Sequence, residues 1–315
     1  LRHDNNWDNL PGAKPQAMVY AALVASKTHY FITYSGYHAR DWEAICLGLT
    51  TVCHEGDMES VTLVVRRDST GSGFGQPVLL ITAAHGRLSA WSNTGDGVNQ
   101  KQSKVDGAYD FADASGATRS ATYADATPHV RIYVQERGHG PIACRAAESP
   151  PLLGWFGFLE GVRCEQGAPW DPGFFKGSGL TMRFARGAAD AYAPSFDGAK
   201  ASARYDLIST FDSLWQWRGD IGDHKLLRQS DAMTYAGARG VPFALSQPIG
   251  ARFDVDQFIN DSSTGLLPWA DKMTGSQQGD MFLDPAYAFN EAFAFSHAFS
   301  LEYDYHPYLP AAVKP

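Results

Sequence analysis

Hydrophobic and polar residues alternate along several stretches of the chain, a pattern that predicts β-strands. The clearest stretch is Ser60–Arg67, which reads Ser-Val-Thr-Leu-Val-Val-Arg-Arg. A Gly- and Ser-rich turn over residues 68–75 separates it from a second apolar run, Pro77–Ala84. We therefore expect these two strands to form a hairpin with a long loop. Residues 29–37 are aromatic and β-branched and predict another strand.

Other segments give a less uniform pattern. The alternation of His129–Gln135 predicts a strand, and Gly179–Ala185 predicts a shorter one. The apolar run over 17–25 fits either a strand or a short helix. Residues 93–127 are polar and rich in Gly, Ala and Asp, which predicts a long loop, and residues 145–177 predict an irregular aromatic segment.

Two helices are predicted in the second half of the chain, one over Leu207–Arg218 and one that starts after Asp284. In the second, Asp284 is a helix-capping residue type and Pro285 suits the first helical position. Taken together, the elements predict a mainly β fold, a β-sandwich with long loop insertions and a few short helices. We expect a single domain over 1–315. The alternative is a sandwich core over 1–190 with a mixed extension over 191–315.

Composition narrows the function classes. The 31 Gly, 17 Pro and 13% aromatic residues are typical of a β-rich, loop-rich protein. A net charge of −8 argues against a nucleic-acid partner, which requires a basic surface. The sequence contains no run of 18 apolar residues, so it predicts no transmembrane helix. The start at Leu1, without an initiator Met, predicts a mature chain whose signal peptide was removed, or else a chain trimmed at its start.

The four cysteines lie at positions 46, 53, 144 and 164. They allow three pairings. Pairing Cys46 with Cys53 and Cys144 with Cys164 closes the shortest loops, and it is the pairing we expect. An even number of cysteines favours a secreted, extracellular protein with disulfides. The alternative is a cytosolic protein with four buried free thiols.

Two segments share the spacing His-x-x-Asp-x-Glu, sixteen positions apart. On an extended chain, an Asp and a Glu two residues apart lie on the same face. Two carboxylates and an imidazole suit a divalent cation, either Ca²⁺ or Mg²⁺, or Zn²⁺ or Mn²⁺ where imidazoles contribute. The alternative is a pair of salt-bridged or capping clusters. The first segment supplies His38, Asp41 and Glu43, and the second supplies His54, Asp57 and Glu59.

Two further histidines follow predicted strands, and each stands beside a glycine. His85 comes after Pro77–Ala84, and His139 comes after His129–Gln135. Glycine allows the backbone to approach a ligand closely. We expect both histidines to meet the second His-x-x-Asp-x-Glu segment at one rim of the fold, although each could be an ordinary loop histidine.

The order of these motifs resembles the family known as vacuolar-protein-sorting-associated protein sixty-two, loosely over residues 28–300. In that family an aromatic strand precedes an H-x-G-D-W-E segment that leads into a strand. Here residues 30–34 precede the segment 54–59, with Met58 at the tryptophan position. The family's later His-Gly and Gly-His pairs are similar to those at positions 85–86 and 138–139. The resemblance implies a β-sandwich with a cation site at one end and supplies no reaction.

A second resemblance involves residues 36–43, Gly-Tyr-His-Ala-Arg-Asp-Trp-Glu. This segment is similar to the G-H-R-H-D-W-E heptad of secreted necrosis-inducing cytolysins, with one residue more. Those proteins are similar β-sandwiches that hold a cation with acidic and histidine side chains. The resemblance implies that such a cation takes part in binding a sphingolipid head group.

Three functions fit these residues. The first is a secreted metal-dependent hydrolase of ester or phosphodiester bonds, in which the metal activates water. The second is a protein that binds a glycan, lipid head group or other small molecule through its cation, without enzymatic activity, as a cytolysin does. The third is purely structural. The predicted metal ligands are His38, His54, Asp57 and Glu59, and the predicted catalytic residues are Asp41, Glu43, His85 and His139, either histidine serving as the acid or base.

Overall fold

The computed structural model describes residues 18–40, 55–67, 75–84, 87–112, 118–119, 129–134, 139–143, 181–184, 202–210, 233–236, 242–245, 281 and 284–307. All four cysteines and the predicted irregular segment 145–177 lie outside the described residues. The elements in these ranges are β1 (Met18–Ser26), β2 (His29–Arg40), β3 (Glu55–Arg66), β4 (Gln76–Ala84), β5 (Arg87–Trp91), β6 (Val98–Gln100), β7 (Phe111–Ala112), β8 (Thr118–Arg119), β9 (His129–Val130), β10 (Tyr133–Val134), β11 (Pro141–Ile142), β12 (Thr181–Phe184), β13 (Ser202–Ser209), β14 (Met233–Ala236), β15 (Pro242–Leu245), α1 (Pro285–Ala292), β16 (Phe293–Phe295) and β17 (Tyr303–Tyr305).

An eight-stranded sheet forms the centre of the described structure. Its order is β12-β13-β1-β2-β3-β4-β5, and β17 pairs with the end of β1. The four pairs β1-β2, β2-β3, β3-β4 and β4-β5 are antiparallel. Strand β13 is parallel to both β1 and β12. The protein is therefore mainly β, as the sequence predicts. The choice between one domain and a division near residue 190 stays a prediction.

One face of this sheet, here called the helix face, carries Phe31, Val64 and Ile81. Helix α1 packs against this face. Its buried residues are spaced three or four positions apart, so they lie on one side of the helix. The ring of Phe289 stacks on Phe31 with 5.7 Å between centroids and 5° between planes. The buried residues of α1 are Pro285, Ala286, Ala288, Phe289 and Ala292, and the small alanines let the helix lie close to the sheet.

The opposite face, here called the Trp91 face, carries Val61, Leu80 and Trp91. The indole N–H of Trp91 donates to the hydroxyl of Thr82 at 3.0 Å, which satisfies both buried polar groups. Tyr109 packs on this face in the same cluster as Trp91, so the sheet is covered on both sides by apolar contacts.

Several predicted strands are confirmed. Strand β12 falls within its predicted segment, β2 starts at the predicted residue but continues to Arg40, and β4 starts one residue earlier than predicted, at Gln76. The apolar run predicted as a strand or a short helix forms strand β1, Met18–Ser26. The start of β3 differs from its prediction. It begins at Glu55 instead of Ser60, because its first residues pair with the end of β2. Asp57 and Glu59 therefore lie inside a strand rather than ahead of one.

Three predictions are wrong in detail. The segment 93–127, predicted as a loop, contains β6, β7 and β8. His129–Gln135 forms two short strands, β9 and β10, instead of one. Residues 207–209 belong to β13 rather than to a helix, because their backbone pairs with β1, as in the pair Val19 and Leu207. Tertiary pairing overrides local helix propensity here. Residues 211–218 lie outside the described residues.

The predicted helix after Asp284, whose apolar pattern extends to Phe295, forms over Pro285–Ala292 with Pro285 at its first position, and Phe293–Phe295 form strand β16 instead. Its cap also differs from the prediction. The Asp284 side chain makes no capping hydrogen bond to the helix. The hydroxyl of Tyr303 instead accepts from the backbone N–H of Ala286 at 3.0 Å and donates to the Asp284 carboxylate. No helix in the described ranges is long and apolar enough to cross a membrane.

Replacement of Gly75 by alanine is expected to destabilise the protein more than the same replacement at Gly95. Both glycines have positive φ, 109° and 97°, so each substitution brings backbone strain of about 1–2 kcal/mol. A Cβ at Gly75 would in addition lie 2.2 Å from the carbonyl oxygen of Arg66, whereas at Gly95 it would meet nothing within 4 Å. Urea unfolding of the two variants measures the difference. Equal losses would contradict the contact at Gly75.

Candidate functional site

Strands β2 and β3 extend beyond their other neighbours at one end of the sheet. The first residues of β1 reach only as far as Gly36, which pairs with Val19. Strand β4 ends near Ser60, which pairs with Ala83. Residues 36–40 and 55–59 therefore continue as a two-stranded projection, here called the ribbon.

The register of the ribbon brings the two His-x-x-Asp-x-Glu segments together. His38 and Asp57 are directly opposite each other on β2 and β3. Residues paired in this way have Cα atoms about 4.5–5.5 Å apart. Glu59 is two residues further along β3, so it shares a face with Asp57. The sequence analysis groups His38 with Asp57 and Glu59 as predicted ligands, and the register of β2 and β3 brings these three backbone positions close together.

This group lies on the same side of the sheet as the Trp91 face, because Val61 is the next residue in the alternation after Glu59. Glu59 is half-buried. On β2, Tyr34 pairs with Val61 and packs against the same apolar cluster, and burial raises the pKa of the Tyr34 hydroxyl. The Trp91 face is therefore apolar at Val61 and Tyr34 and becomes polar at Glu59, where the ribbon begins.

His139 is the predicted acid or base whose conformation the structure describes. Its φ is 53°, a left-handed conformation that is uncommon for a residue other than glycine. It is half-buried and stands two residues before β11, which packs on β3 and β4 through the apolar cluster of the Trp91 face. His139 thus belongs to the same side of the sheet as His38, Asp57 and Glu59.

The other predicted site residues lie outside the described residues. In the sequence, Asp41 and Glu43 follow the end of β2, and His54 precedes β3. His85 follows β4. In an antiparallel order β2-β3-β4, these three strand ends belong to one end of the sheet, the end that carries the ribbon.

Sequence reasoning missed a second charged pair in the ribbon. Arg40 and Glu55 are directly opposite each other, two residues beyond His38 and Asp57. Oppositely charged residues in facing positions stabilise a two-stranded ribbon by about 0.2–1 kcal/mol per pair. The antiparallel pairing would have revealed this pair, since residue numbers of partners in β2 and β3 share a constant sum. The backbone pairing thus places one pair of oppositely charged residue types opposite each other in the ribbon.

The donor types at positions 38, 57 and 59 fit a divalent cation. Two carboxylates supply the oxygen ligands that Ca²⁺ and Mg²⁺ prefer, and an imidazole adds a nitrogen ligand that suits Zn²⁺ or Mn²⁺. Among the side chains that the structure describes, no group of three His, Cys, Asp or Glu could hold a metal ion, and the side chains of His38 and Asp57 lie outside that part of the chain. The cation site at the ribbon therefore stays a prediction.

Comparison with known proteins gives partial likenesses only. No family model and no curated protein matches the chain. A solved structure described as "Toxin fold for microbial attack and plant defense" is 27% identical over 25% of this chain and 36% of its own, with a TM-score of 0.19. The non-toxic HaNLP3 protein is 18% identical over 28% and 38%, with a TM-score of 0.21. NLPPya in complex with glucosamine is 28% identical over 26% and 34%, with a TM-score of 0.19.

The chain thus covers at most 38% of the length of these three structures. At such TM-scores the likeness to toxin structures is local and does not establish a shared fold or family. None of the comparisons supports the resemblance to the vacuolar-protein-sorting-associated family.

Proposed function

We propose that this protein binds a divalent cation at the ribbon and uses that cation to hold a glycan or lipid head group, without catalysing a reaction. The ligands in this proposal are His38, Asp57 and Glu59. The cation is Ca²⁺ or Mg²⁺, because two of the three ligands are carboxylates. The protein acts as a secreted binding protein.

The observation that carries the proposal is the register of β2 and β3. It places His38 opposite Asp57, with Glu59 on the same face and two residues away. These positions lie at the end of the sheet where β2 ends and β3 begins. A bound cation would also reverse the local negative field, so that an anionic or hydroxyl-rich group could bind there.

Hydrolysis is the second candidate, and His139 is the observation that favours it. A left-handed non-glycine residue costs energy, and such residues are enriched at functional sites. In a hydrolase, His139 would act as the general acid or base, and Asp41, Glu43 and His85 would support the reaction. Zn²⁺ or Mn²⁺ retained in stoichiometric amount by the purified protein would favour this reading over cation-dependent binding.

Addition of Ca²⁺ to chelator-treated protein is expected to raise the melting temperature. At a free concentration 100-fold above the dissociation constant, a ligand that binds only the folded state contributes about 2.7 kcal/mol. The Asp57→Asn variant should lose this response, whereas Glu291→Gln, which removes a carboxylate from α1, should keep it. Differential scanning calorimetry with Ca²⁺ and Mg²⁺ makes the measurement.

The salt-bridge alternative gives a different result. If positions 38, 57 and 59 only form ion pairs, cations will not change the melting temperature, and 0.5 M NaCl will lower it in proportion to screening. Ligand binding is tested by sedimentation with phosphatidylcholine vesicles that contain or lack a glycosylated sphingolipid. Vesicle binding that is equal with and without Ca²⁺ would contradict a bridging cation.

A further inference from the structure

A buried turn outside the candidate site contains an unusual group of oxygen atoms. The turn follows β5 and closes through two hydrogen bonds between Asn93 and Asp96. The backbone N–H of Asp96 donates to the Asn93 carbonyl at 3.1 Å, and the N–H of Asn93 donates to Asp96 Oδ2 at 2.9 Å. Asp96 is only 8% exposed. A carboxyl group therefore lies almost entirely away from water.

Tyr109 faces this carboxyl group from the next segment of the chain. Its side chain is fully buried. Its hydroxyl oxygen lies 2.8 Å from Asp96 Oδ2 and also 2.8 Å from the backbone carbonyl oxygen of Pro77, at the start of β4. Both distances are those of good O–H···O hydrogen bonds.

These two contacts require two protons, and the phenol has one. A backbone carbonyl can only accept, and so can an ionised carboxylate. If Tyr109 donates to Pro77, an ionised Asp96 would bring two oxygen lone pairs to 2.8 Å without a proton between them. A protonated Asp96 removes the conflict, because it donates to Tyr109 while Tyr109 donates to Pro77.

We propose that Asp96 keeps its proton in the folded protein at neutral pH and donates it to Tyr109, so that the turn at 93–97 is held by a carboxylic acid and loosens when the pH rises. The Asn93 side-chain oxygen is also buried here and accepts no hydrogen bond from any residue in the described part of the chain.

Burial raises the pKa of Asp96, and this effect is larger than the opposing ones, so that the net shift is upward. The pKa is lowered by hydrogen bonds with the Asn93 backbone, Tyr109 and Gln76 and by the charge of Arg66 on β3. Gln76 of β4 donates to Asp96 Oδ1 at 3.4 Å and carries no charge. His297 lies against the adjacent Gly97, where an added Cβ would approach its ring to 3.0 Å. Arg66, Tyr109 and His297 are thus the titratable or charged groups that face the turn within the described residues.

The turn is connected to the C-terminal part of the structure. The carbonyl of Gly97 accepts from the backbone N–H of Ser296 at 2.7 Å, and β6 then pairs with β16. Loss of the proton from Asp96 would therefore loosen the attachment of β16 and α1 to the turn. The protonated Asp96 thus makes the attachment of β16 and α1 to the turn dependent on pH.

The test compares the pH dependence of stability in wild type and in Asp96→Asn. Asparagine has the shape of the protonated acid and keeps a donor. In wild type, the unfolded chain releases the Asp96 proton above its ordinary pKa of 3.8, whereas burial raises the pKa of Asp96 in the folded state. On this proposal, the folded state keeps the proton that the unfolded chain releases. The unfolding equilibrium constant of wild type should therefore rise up to tenfold per pH unit relative to the variant above pH 4. Parallel curves between pH 4.5 and 6.5 would overturn the proposal, as would a variant less stable than wild type at pH 7.

A second measurement does not depend on the variant being folded. Infrared absorption of wild type at pH 6.5 should contain the C=O stretching band of a protonated carboxylic acid. The band should shift in Tyr109→Phe, which lacks the acceptor, and should be unchanged in Asp304→Asn, whose carboxylate is on the surface. Absence of the band in wild type would overturn the proposal.

Discussion

Replacement of Phe289 by alanine is expected to lower the free energy of unfolding by about 3–5 kcal/mol. Phe289 is fully buried on α1 and stacks on Phe31 of the central sheet. The ring fills the space between helix and sheet, so its removal leaves a cavity that the neighbouring alanines of α1 are too small to fill. The loss combines the transfer free energy of the ring with the cost of that cavity.

Equilibrium unfolding in urea, followed by tryptophan fluorescence, measures this effect. Tyr305→Ala is the control, because Tyr305 is 48% exposed and its truncation should change stability by no more than about 0.5 kcal/mol. Phe289→Leu should lie between the two, since leucine fills part of the cavity. A loss below about 1 kcal/mol for Phe289→Ala would show that α1 does not pack on the sheet as described.

Acidification from pH 6.5 to pH 4 is expected to destabilise the protein by about 3 kcal/mol through His29 alone. His29 is 1% exposed at the start of β2, and its ring lies 4.6 Å from that of Phe299 and 5.8 Å from that of Phe295. Burial, together with the nearby positive charges of Arg66 and His297, lowers the pKa of His29 from 6.5 to about 4. The folded state therefore holds a neutral imidazole.

The sign follows from the protons bound in each state. Between pH 6.5 and pH 4 the unfolded chain binds a proton at His29 that the folded protein does not. Stability is therefore fully present above pH 6.5, falls as the pH falls, and stops falling near pH 4. Asp96 acts with the opposite sign in an overlapping range, so the two effects must be separated by variants.

His29→Gln removes the titration at the buried position. His129→Gln is the matched control, because His129 is an exposed histidine on β9. The stability difference between wild type and His29→Gln should shrink as the pH falls from 6.5 to 4, and that between wild type and His129→Gln should change far less. An unchanged difference for His29→Gln would mean that water reaches the His29 ring.

Much of the central sheet could be predicted from local sequence. Strands β2 and β4 have alternating or continuous apolar residues, and a strand pattern survives whatever partner the strand pairs with. Helix α1 could be predicted because Asp284 and Pro285 mark its start and its apolar residues recur at helical spacing. The short strands β7 and β8 could not, since two-residue strands exist only where another segment pairs with them.

In the candidate site, too, local sequence predicted some features and strand pairing decided the others. The spacing in the sequence identified His38, Asp57 and Glu59 as possible ligands, because residue type determines which ions and protons a side chain can bind. It assigned them to separate segments, since spacing along the chain says nothing about register across strands. Only the antiparallel pairing of β2 with β3 put His38 opposite Asp57 and added Arg40 and Glu55 to the same ribbon.

The sequence by itself determined that the protein is mainly β, acidic overall and equipped with carboxylates and histidines suited to a cation. These properties depend on residue type and on periodicity, both of which are local. The tertiary structure alone decided the strand partner of residues 207–209, the burial of His29 and the approach of Tyr109 to Asp96. Each of these depends on contacts between residues distant in the chain, and such contacts set burial, local dielectric and hydrogen-bond geometry.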